Sequence, residues 1–148
     1  MALLSTADQD RLRAAFAAMT RPVKIVFFTQ TLGCETCPET RQIIDELPAL
    51  SDKIAIEEVN LVLEGDKAAQ YGIDRVPALA IVGKDDGGAD RDSRIRFVGA
   101  PSGYEFISLV QAVLLVGGRE PALTEANRMK LAAAIDQPMT IQVFTTPT

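Results

Sequence analysis

The two cysteines of this 148-residue chain, Cys34 and Cys37, are separated by only two residues. They follow the apolar run 23–28 and precede the helix-like stretch 39–47. A thiol at the start of a helix is stabilised as the reactive thiolate, and a second thiol three residues further on can form a disulfide with it. The spacing therefore predicts a thiol–disulfide redox domain, with a strand before the cysteine pair and a helix after it.

Hydrophobic periodicity predicts that strands and helices alternate along the first 118 residues. The predicted helices span 5–19, 39–47, 66–71 and 104–116, and the predicted strands span 23–29, 54–60, 78–82 and 94–98. The polar, glycine-rich segment 84–93 is predicted to be a hairpin loop between the last two strands. This order predicts an α/β fold, in which a four-stranded mixed sheet carries helices on both faces and an additional helix lies at the N-terminus.

Composition and charge exclude several classes of function. Hydrophobic residues make up 47% of the chain and the net charge is −5, which is typical of a globular protein and argues against a nucleic-acid partner. Residues 1–16 lack the pattern of a signal peptide, and no segment approaches the ~20 apolar residues that cross a bilayer. We therefore expect a cytoplasmic protein with no membrane partner.

The chain contains no histidine, which excludes Ser-His and Cys-His catalysis within it. A structural zinc site needs four ligands, and Cys34 and Cys37 supply only two thiolates. A metal or iron–sulfur site is therefore possible only if it is shared across a dimer or completed by carboxylates.

A sequence repeat lies near the C-terminus. Four residues of the first predicted strand and the turn before it recur in the same order and spacing: Pro22, Ile25, Phe28 and Thr29 return as Pro138, Ile141, Phe144 and Thr145. We interpret 1–118 as one domain and 119–148 as the start of a second, truncated copy. The alternative is a coincidental helix–strand extension. A strand at 139–145 would expose an apolar edge, so we expect it to dock on its own domain or to form a homodimer.

Three separated blocks resemble the thioredoxin superfamily. They are the strand with Cys34-Glu35-Thr36-Cys37, the stretch 71–79 (YGIDRVPAL), which resembles the approach to the thioredoxin cis-proline, and 98–103 (VGAPSG), which resembles the turn before the last helix. The repeat and the N-terminal helix narrow the resemblance to the glutaredoxin-like protein disulfide oxidoreductases, which join two thioredoxin folds. Activity in that family can lie mainly in the second unit, which allows a weak activity for this one.

The chemistry predicted for the cysteine pair follows from its position. Cys34 is the expected nucleophile, because free N–H groups and the positive dipole end of the helix stabilise its thiolate. Cys37 is the expected resolving thiol. Glu58 stands where thioredoxin has a lysine near the buried cysteine, and it could accept the proton of Cys37 if partial burial raised its pKa.

The resemblance also implies a substrate groove. Pro77 is expected to be cis, and the backbone of Val76 is expected to pair with a substrate peptide as an added strand. Gly99 and Ala100 are expected to contribute to the same groove, since small residues allow a peptide to approach closely. The chain departs from thioredoxin at Phe28, which replaces the buried acid of the first strand.

Together these features predict a thiol–disulfide oxidoreductase that needs no bound organic cofactor. Its expected partners are proteins with disulfides and a reductase or dithiol that recharges the pair. Two alternatives stay open at this point. One is a thioredoxin-like binding module with a redox-silent cysteine pair, and the other is the metal or iron–sulfur site shared across a dimer.

Overall fold

Four strands and five α-helices are found along residues 2–146, the part of the chain that the computed structural model describes. The strands are β1 (Val23–Thr29), β2 (Ile54–Asn60), β3 (Ala78–Lys84) and β4 (Asp90–Val98). The helices are α1 (Thr6–Phe16), α2 (Cys37–Asp45), α3 (Gly65–Gln70), α4 (Tyr104–Val116) and α5 (Glu125–Ala134), and a short 3-10 helix covers Pro48–Leu50. Among these residues no helix combines the length and the apolar composition needed to cross a membrane.

The strands form one mixed sheet in the order β2-β1-β3-β4. β1 pairs with β2 in parallel, whereas β3 pairs with β1 and with β4 in antiparallel fashion. The carboxyl ends of β1, β2 and β4 therefore share one edge of the sheet with the amino end of β3. The predicted thioredoxin-like α/β architecture is confirmed.

Alternation along β1 divides the core into two layers. Ile25 and Phe27 point into the larger core, which contains residues of α1, α2 and α4. Val26 and Phe28 point to the opposite face, where they pack with Ala68 of α3. All four of these β1 side chains are fully buried. Since successive side chains of a strand face opposite sides, one central strand anchors helices on both faces of the sheet.

β4 begins earlier than the sequence predicted. We expected a loop over 84–93 and a strand from 94, but β4 starts at Asp90 and the connecting loop covers only 85–89. The carboxylate of Asp85 accepts hydrogen bonds from the backbone N–H groups of Gly87 and Ala89, both at 2.9 Å, which closes a tight turn. The polar composition of 90–93 concealed the strand, because β4 is an edge strand with one side exposed to solvent.

The predicted strand at 139–145 is wrong for this structure. Residues 136–146 form neither helix nor strand, and α5 contains no buried residue. Met139, Ile141, Val143 and Phe144 are between 67% and 91% exposed, so this segment does not dock on its own domain. A strand needs a neighbour for its backbone hydrogen bonds, and none of the described strands pairs with this segment.

A network of alternating charges crosses the α3 face of the sheet. The ammonium group of Lys24 on β1 contacts Glu57 on β2 at 2.7 Å and Asp90 on β4 at 2.6 Å. Lys67 also pairs with Glu57, and Lys84 also pairs with Asp90. The ammonium groups of Lys24 and Lys67 lower the pKa of Glu57. The network therefore ties both edge strands to the centre of the sheet.

Asp90 makes the stability of the domain dependent on pH. Hydrogen bonds from Lys24 and Lys84 lower the pKa of Asp90 from 3.8 to about 2. A carboxyl whose pKa falls on folding stabilises the fold above its ordinary pKa, and this contribution is lost as the pH falls from about 4 to about 2. We expect Asp90→Asn to lower the free energy of unfolding at pH 7 by about 1 kcal/mol or less, since the side chain is 41% exposed and water screens the pairs.

Urea unfolding of wild type and Asp90→Asn at pH 7 and pH 2 measures this effect. The difference between the two proteins should shrink at the lower pH. Asp52→Asn is the matched control, because Asp52 is 94% exposed in its pair with Lys53. A difference for Asp90→Asn that is equally large at both pH values would contradict the prediction.

Candidate redox site

Cys34 and Cys37 form a disulfide at the carboxyl-terminal edge of β1, with their Cα atoms 5.5 Å apart. Cys37 is the first residue of α2, so the helix begins two residues before the predicted position at 39. Pro38 fits this first turn, where a missing N–H costs little. The two sulfurs differ in access, because Cys34 is partly exposed and Cys37 is only 5% exposed.

The loop before α2 holds the pair at the helix start. Gly33 adopts φ +72°, a conformation that glycine allows without strain, and Gln30 donates a side-chain hydrogen bond to the carbonyl of Leu32 at 2.7 Å. Thr40 donates both its backbone N–H and its hydroxyl to the carbonyl of Thr36, at 3.0 and 2.9 Å. The first N–H groups of a helix have no intrahelical acceptor, and they stabilise a thiolate that forms beside them.

A polar cleft of about 400 Å³ lies beside the disulfide. It is lined by the two cysteines and by side chains from β1, β2, α2 and the loop between β1 and α2: Thr29, Gln30, Thr31, Cys34, Cys37, Pro38, Arg41, Gln42, Glu58 and Asn60. Among these residues Arg41 and Glu58 carry the charges. The cleft therefore offers hydroxyl and amide groups, together with one ion pair, next to the disulfide.

Glu58 lies in this cleft, as its predicted role requires. The register pairs Glu58 with Phe27, so its side chain is on the α2 face of the sheet, whereas Glu57 is on the opposite face. Its carboxylate forms an ion pair with Arg41, and its side chain is 47% exposed. The burial of this carboxylate is therefore small. The carboxylate is instead balanced by a positive charge.

The Val76–Pro77 peptide bond is cis, as the resemblance implied. Ala78, which follows Pro77, pairs with Phe28 of β1 and Val98 of β4, and the N–H of Gly99 donates to the carbonyl of Pro77 at 2.9 Å. Val76, Pro77, Gly99 and Ala100 are thus at the same edge of the sheet as the cysteines. They do not line the polar cleft, which lies on the β2 side of the disulfide.

The sequence analysis did not identify seven of the ten residues that line the cleft as site residues, and three of these are Arg41, Thr29 and Asn60. Arg41 is four residues after Cys37 on α2, a spacing that places two side chains on one helix face and that could have identified it. Thr29 ends β1 and Asn60 ends β2, at adjacent carboxyl ends. The side-chain oxygen of Asn60 accepts the N–H groups of Val62 and Leu63, both at 3.0 Å, which shapes the loop behind the cleft.

Several known proteins are similar to this chain in sequence or in structure. No protein-family model matches the chain. A probable thioredoxin of Methanothermobacter thermautotrophicus is 35% identical to it over 89 residues, which make up 60% of this chain and 92% of that protein. The NTD_N/C domain of alkylhydroperoxide reductase AhpF from Enterococcus faecalis has a similar structure, with a TM-score of 0.77 and 28% identity over 88% of this chain.

A protein disulfide oxidoreductase from Aeropyrum pernix also has this fold, with a TM-score of 0.72 and 24% identity over 86% of this chain. At that identity the likeness shows the fold alone. The match covers 60% of the AhpF structure and 53% of the A. pernix structure, so this chain spans less than two thirds of each.

The fold, the disulfide site and the similar proteins all indicate the same activity. The chain is a thiol–disulfide oxidoreductase whose redox-active pair is Cys34–Cys37 within a thioredoxin-like fold. Thioredoxin-like proteins act on the disulfides of other proteins. Because 35% identity extends over nearly the whole length of a probable thioredoxin, this chain belongs to the thioredoxin family.

Proposed function

We propose that Cys34 attacks the substrate disulfide and that Cys37 completes the exchange. The observation that supports these roles is the difference in access, since Cys34 is partly exposed whereas Cys37 is 5% exposed and begins α2. The Cys34 thiolate forms a bond to one substrate sulfur, and the other substrate sulfur leaves as a thiolate. The Cys37 thiolate then attacks the Cys34 sulfur, which forms the Cys34–Cys37 disulfide and releases the second substrate thiolate.

Glu58 is proposed as the acceptor of the Cys37 proton in the second step. Support comes from its position, because its carboxylate lines the same cleft as both cysteines. The cycle transfers two electrons to the substrate and leaves the cysteine pair oxidised. Turnover therefore requires a dithiol or a reductase as the second partner.

The opposite side of the disulfide is proposed as the substrate groove. The backbone of Val76 would pair with an extended substrate segment, and Pro77, Gly99 and Ala100 would border that segment. Support comes from the shared sheet edge and from Val76 and Cys34, which both pack against the larger core. A protein substrate would then cover the β3 side of the disulfide and leave the polar cleft on the β2 side accessible to water.

We also propose that the chain is a glutaredoxin-like protein disulfide oxidoreductase in which 119–148 begin a second thioredoxin-like unit. The repeated proline–strand pattern supports this assignment. The exposed apolar side chains of 139–144 support it as well, because the first strand of such a unit is buried once its neighbours are present. A second copy of this chain is the other candidate for covering that segment.

Selective alkylation of the reduced protein tests the roles of the two cysteines. At pH 7, with less than one equivalent of iodoacetamide, we expect Cys34 to be modified at least about tenfold faster than Cys37, because the accessible thiolate is the nucleophile. Peptide mass spectrometry measures the ratio. The urea-unfolded protein is the control, in which both thiols should react at similar rates. Preferential modification of Cys37 in the folded protein would reverse the assignment.

A further inference from the structure

One ion pair supplies the charge in the wall of the disulfide cleft. We propose that Arg41 and Glu58 set the redox potential of the Cys34–Cys37 pair with opposite signs. In this proposal Arg41 stabilises the thiolate of the reduced pair and Glu58 destabilises it. The two effects on the redox potential therefore offset each other. The proposal rests on the redox cycle of the two cysteines. It does not depend on which of them attacks the substrate.

Arg41 is held close to the cysteine pair by its own helix and by the core. It lies about one turn after Cys37 on α2, and side chains four residues apart share a helix face. Its guanidinium carbon is 5.5 Å from the centroid of the Phe27 ring. Phe27 is fully buried, so the ring is a fixed surface on which the cation rests. A mobile surface arginine would lack this restraint.

Glu58 reaches the same place from the opposite wall of the cleft. It lies on β2 next to Phe27 of β1, and its carboxylate accepts a hydrogen bond from Arg41. Other charged groups nearby do not line the cleft. Glu35 is exposed between the cysteines, and Glu39 borders a separate apolar pocket between α2 and the start of α4.

The charge on the sulfurs differs between the disulfide and the reduced pair, the two states whose equilibrium sets the potential. The disulfide is uncharged, but the reduced pair carries a negative charge whenever one thiol ionises. A cation near that sulfur favours the reduced form and raises the redox potential, and an anion has the opposite effect. Removing Arg41 leaves Glu58 unbalanced and should make the pair more reducing. Neutralising Glu58 leaves Arg41 unbalanced and should make the pair more oxidising.

Water limits the size of these effects. The side chains of Arg41 and Glu58 are 44% and 47% exposed, so solvent screens their fields. We expect each single change to alter the equilibrium constant for exchange with glutathione by about threefold at low salt. Since a tenfold change corresponds to 29.6 mV for a two-electron couple, this is a shift of about 14 mV.

Redox titration of the full chain in glutathione buffers tests the proposal with three variants. We expect Arg41→Gln to lower the potential, Glu58→Gln to raise it, and the double variant to return close to wild type. The lowest thiol pKa, followed by thiolate absorbance, should rise in Arg41→Gln and fall in Glu58→Gln. Both shifts should diminish in 1 M salt, because added ions screen exposed charges.

Arg13→Gln and Asp10→Asn are matched controls. Arg13 and Asp10 form an exposed ion pair on α1 at 3.1 Å, so these variants make the same changes in net charge outside the cleft. Their equilibrium constants for exchange with glutathione should stay within about 1.5-fold of the wild-type value, as expected for screened surface charges. Shifts of the same sign in Arg41→Gln and Glu58→Gln would show that the pair acts only through structure, and this would overturn the proposal. Equal potentials in all variants would also overturn it.

The titration and the alkylation experiment can fail independently. If Cys37 reacts first with iodoacetamide, the proposed roles of the cysteines are wrong, but opposite shifts of the potential would still support the charge pair. If the potentials do not move while Cys34 reacts first, the roles stand and the charge pair has no effect on the redox equilibrium.

Discussion

Cys34→Ser should lower the enzyme-dependent rate of insulin disulfide reduction roughly 100-fold or more. Dithiothreitol is the electron donor, and its uncatalysed reaction with insulin is subtracted from each rate. A hydroxyl at this position cannot form the mixed disulfide with substrate, so the cycle stops before its first step. The partly exposed position of Cys34 at the start of α2 makes it the sulfur that a substrate can reach. Turbidity of the precipitating insulin B chain measures the rate.

Cys37→Ser is the matched variant, because it removes the other sulfur of the same disulfide. It should also abolish turnover, but it should accumulate a covalent adduct with substrate, since the mixed disulfide on Cys34 can no longer be resolved. Non-reducing electrophoresis with mass spectrometry detects the adduct. Activity that persists in Cys34→Ser, or an adduct that forms in Cys34→Ser and not in Cys37→Ser, would show that the assigned roles are wrong.

Phe27→Ala should reduce the free energy of unfolding by about 3–5 kcal/mol. Phe27 is fully buried in the larger core, and its ring also supports the guanidinium of Arg41. Truncation removes the apolar contacts of the ring and leaves a cavity between the sheet and the helices. Urea unfolding of the oxidised protein, followed by far-UV circular dichroism, measures the loss.

Phe144→Ala makes the same chemical change at a site that is 91% exposed. Its effect on the free energy of unfolding should be within about 0.5 kcal/mol, because surface substitutions without packing contacts have small effects. A large loss in Phe144→Ala would show that the segment 136–146 packs against the domain in solution. A small loss in Phe27→Ala would contradict the two-layer core described above.

The candidate site shows where sequence reasoning succeeds and where it stops. The cysteine spacing and the strand before it are local properties, and they located the redox-active disulfide correctly. The cis bond before Pro77 was accessible only through resemblance to a known family. The position of Glu58 was expected near the cysteines, but its partner Arg41 was not. An ion pair between a helix and a strand depends on how the two elements pack, and the hydrophobic periodicity of the sequence does not predict that packing.

Errors in the predicted elements have the same origin. The sequence pattern placed β4 too late, because the polar residues 90–93 belong to an exposed edge strand and hide its alternation. It predicted a strand at 139–145 because that segment has the composition of β1. A segment of strand-like composition becomes a strand only where another strand accepts its hydrogen bonds.

For residues 1–118, the amino-acid sequence alone determined the order of strands and helices, the mixed sheet and the pair Cys34–Cys37, because hydrophobic period, turn residues and cysteine spacing are encoded along the chain. Only the tertiary structure decided which side chains surround the disulfide. By packing α2 across β1 it brought Arg41 against Phe27 and Glu58, which are distant in sequence. The interaction between two charges depends on the distance between them in space, and packing fixes that distance.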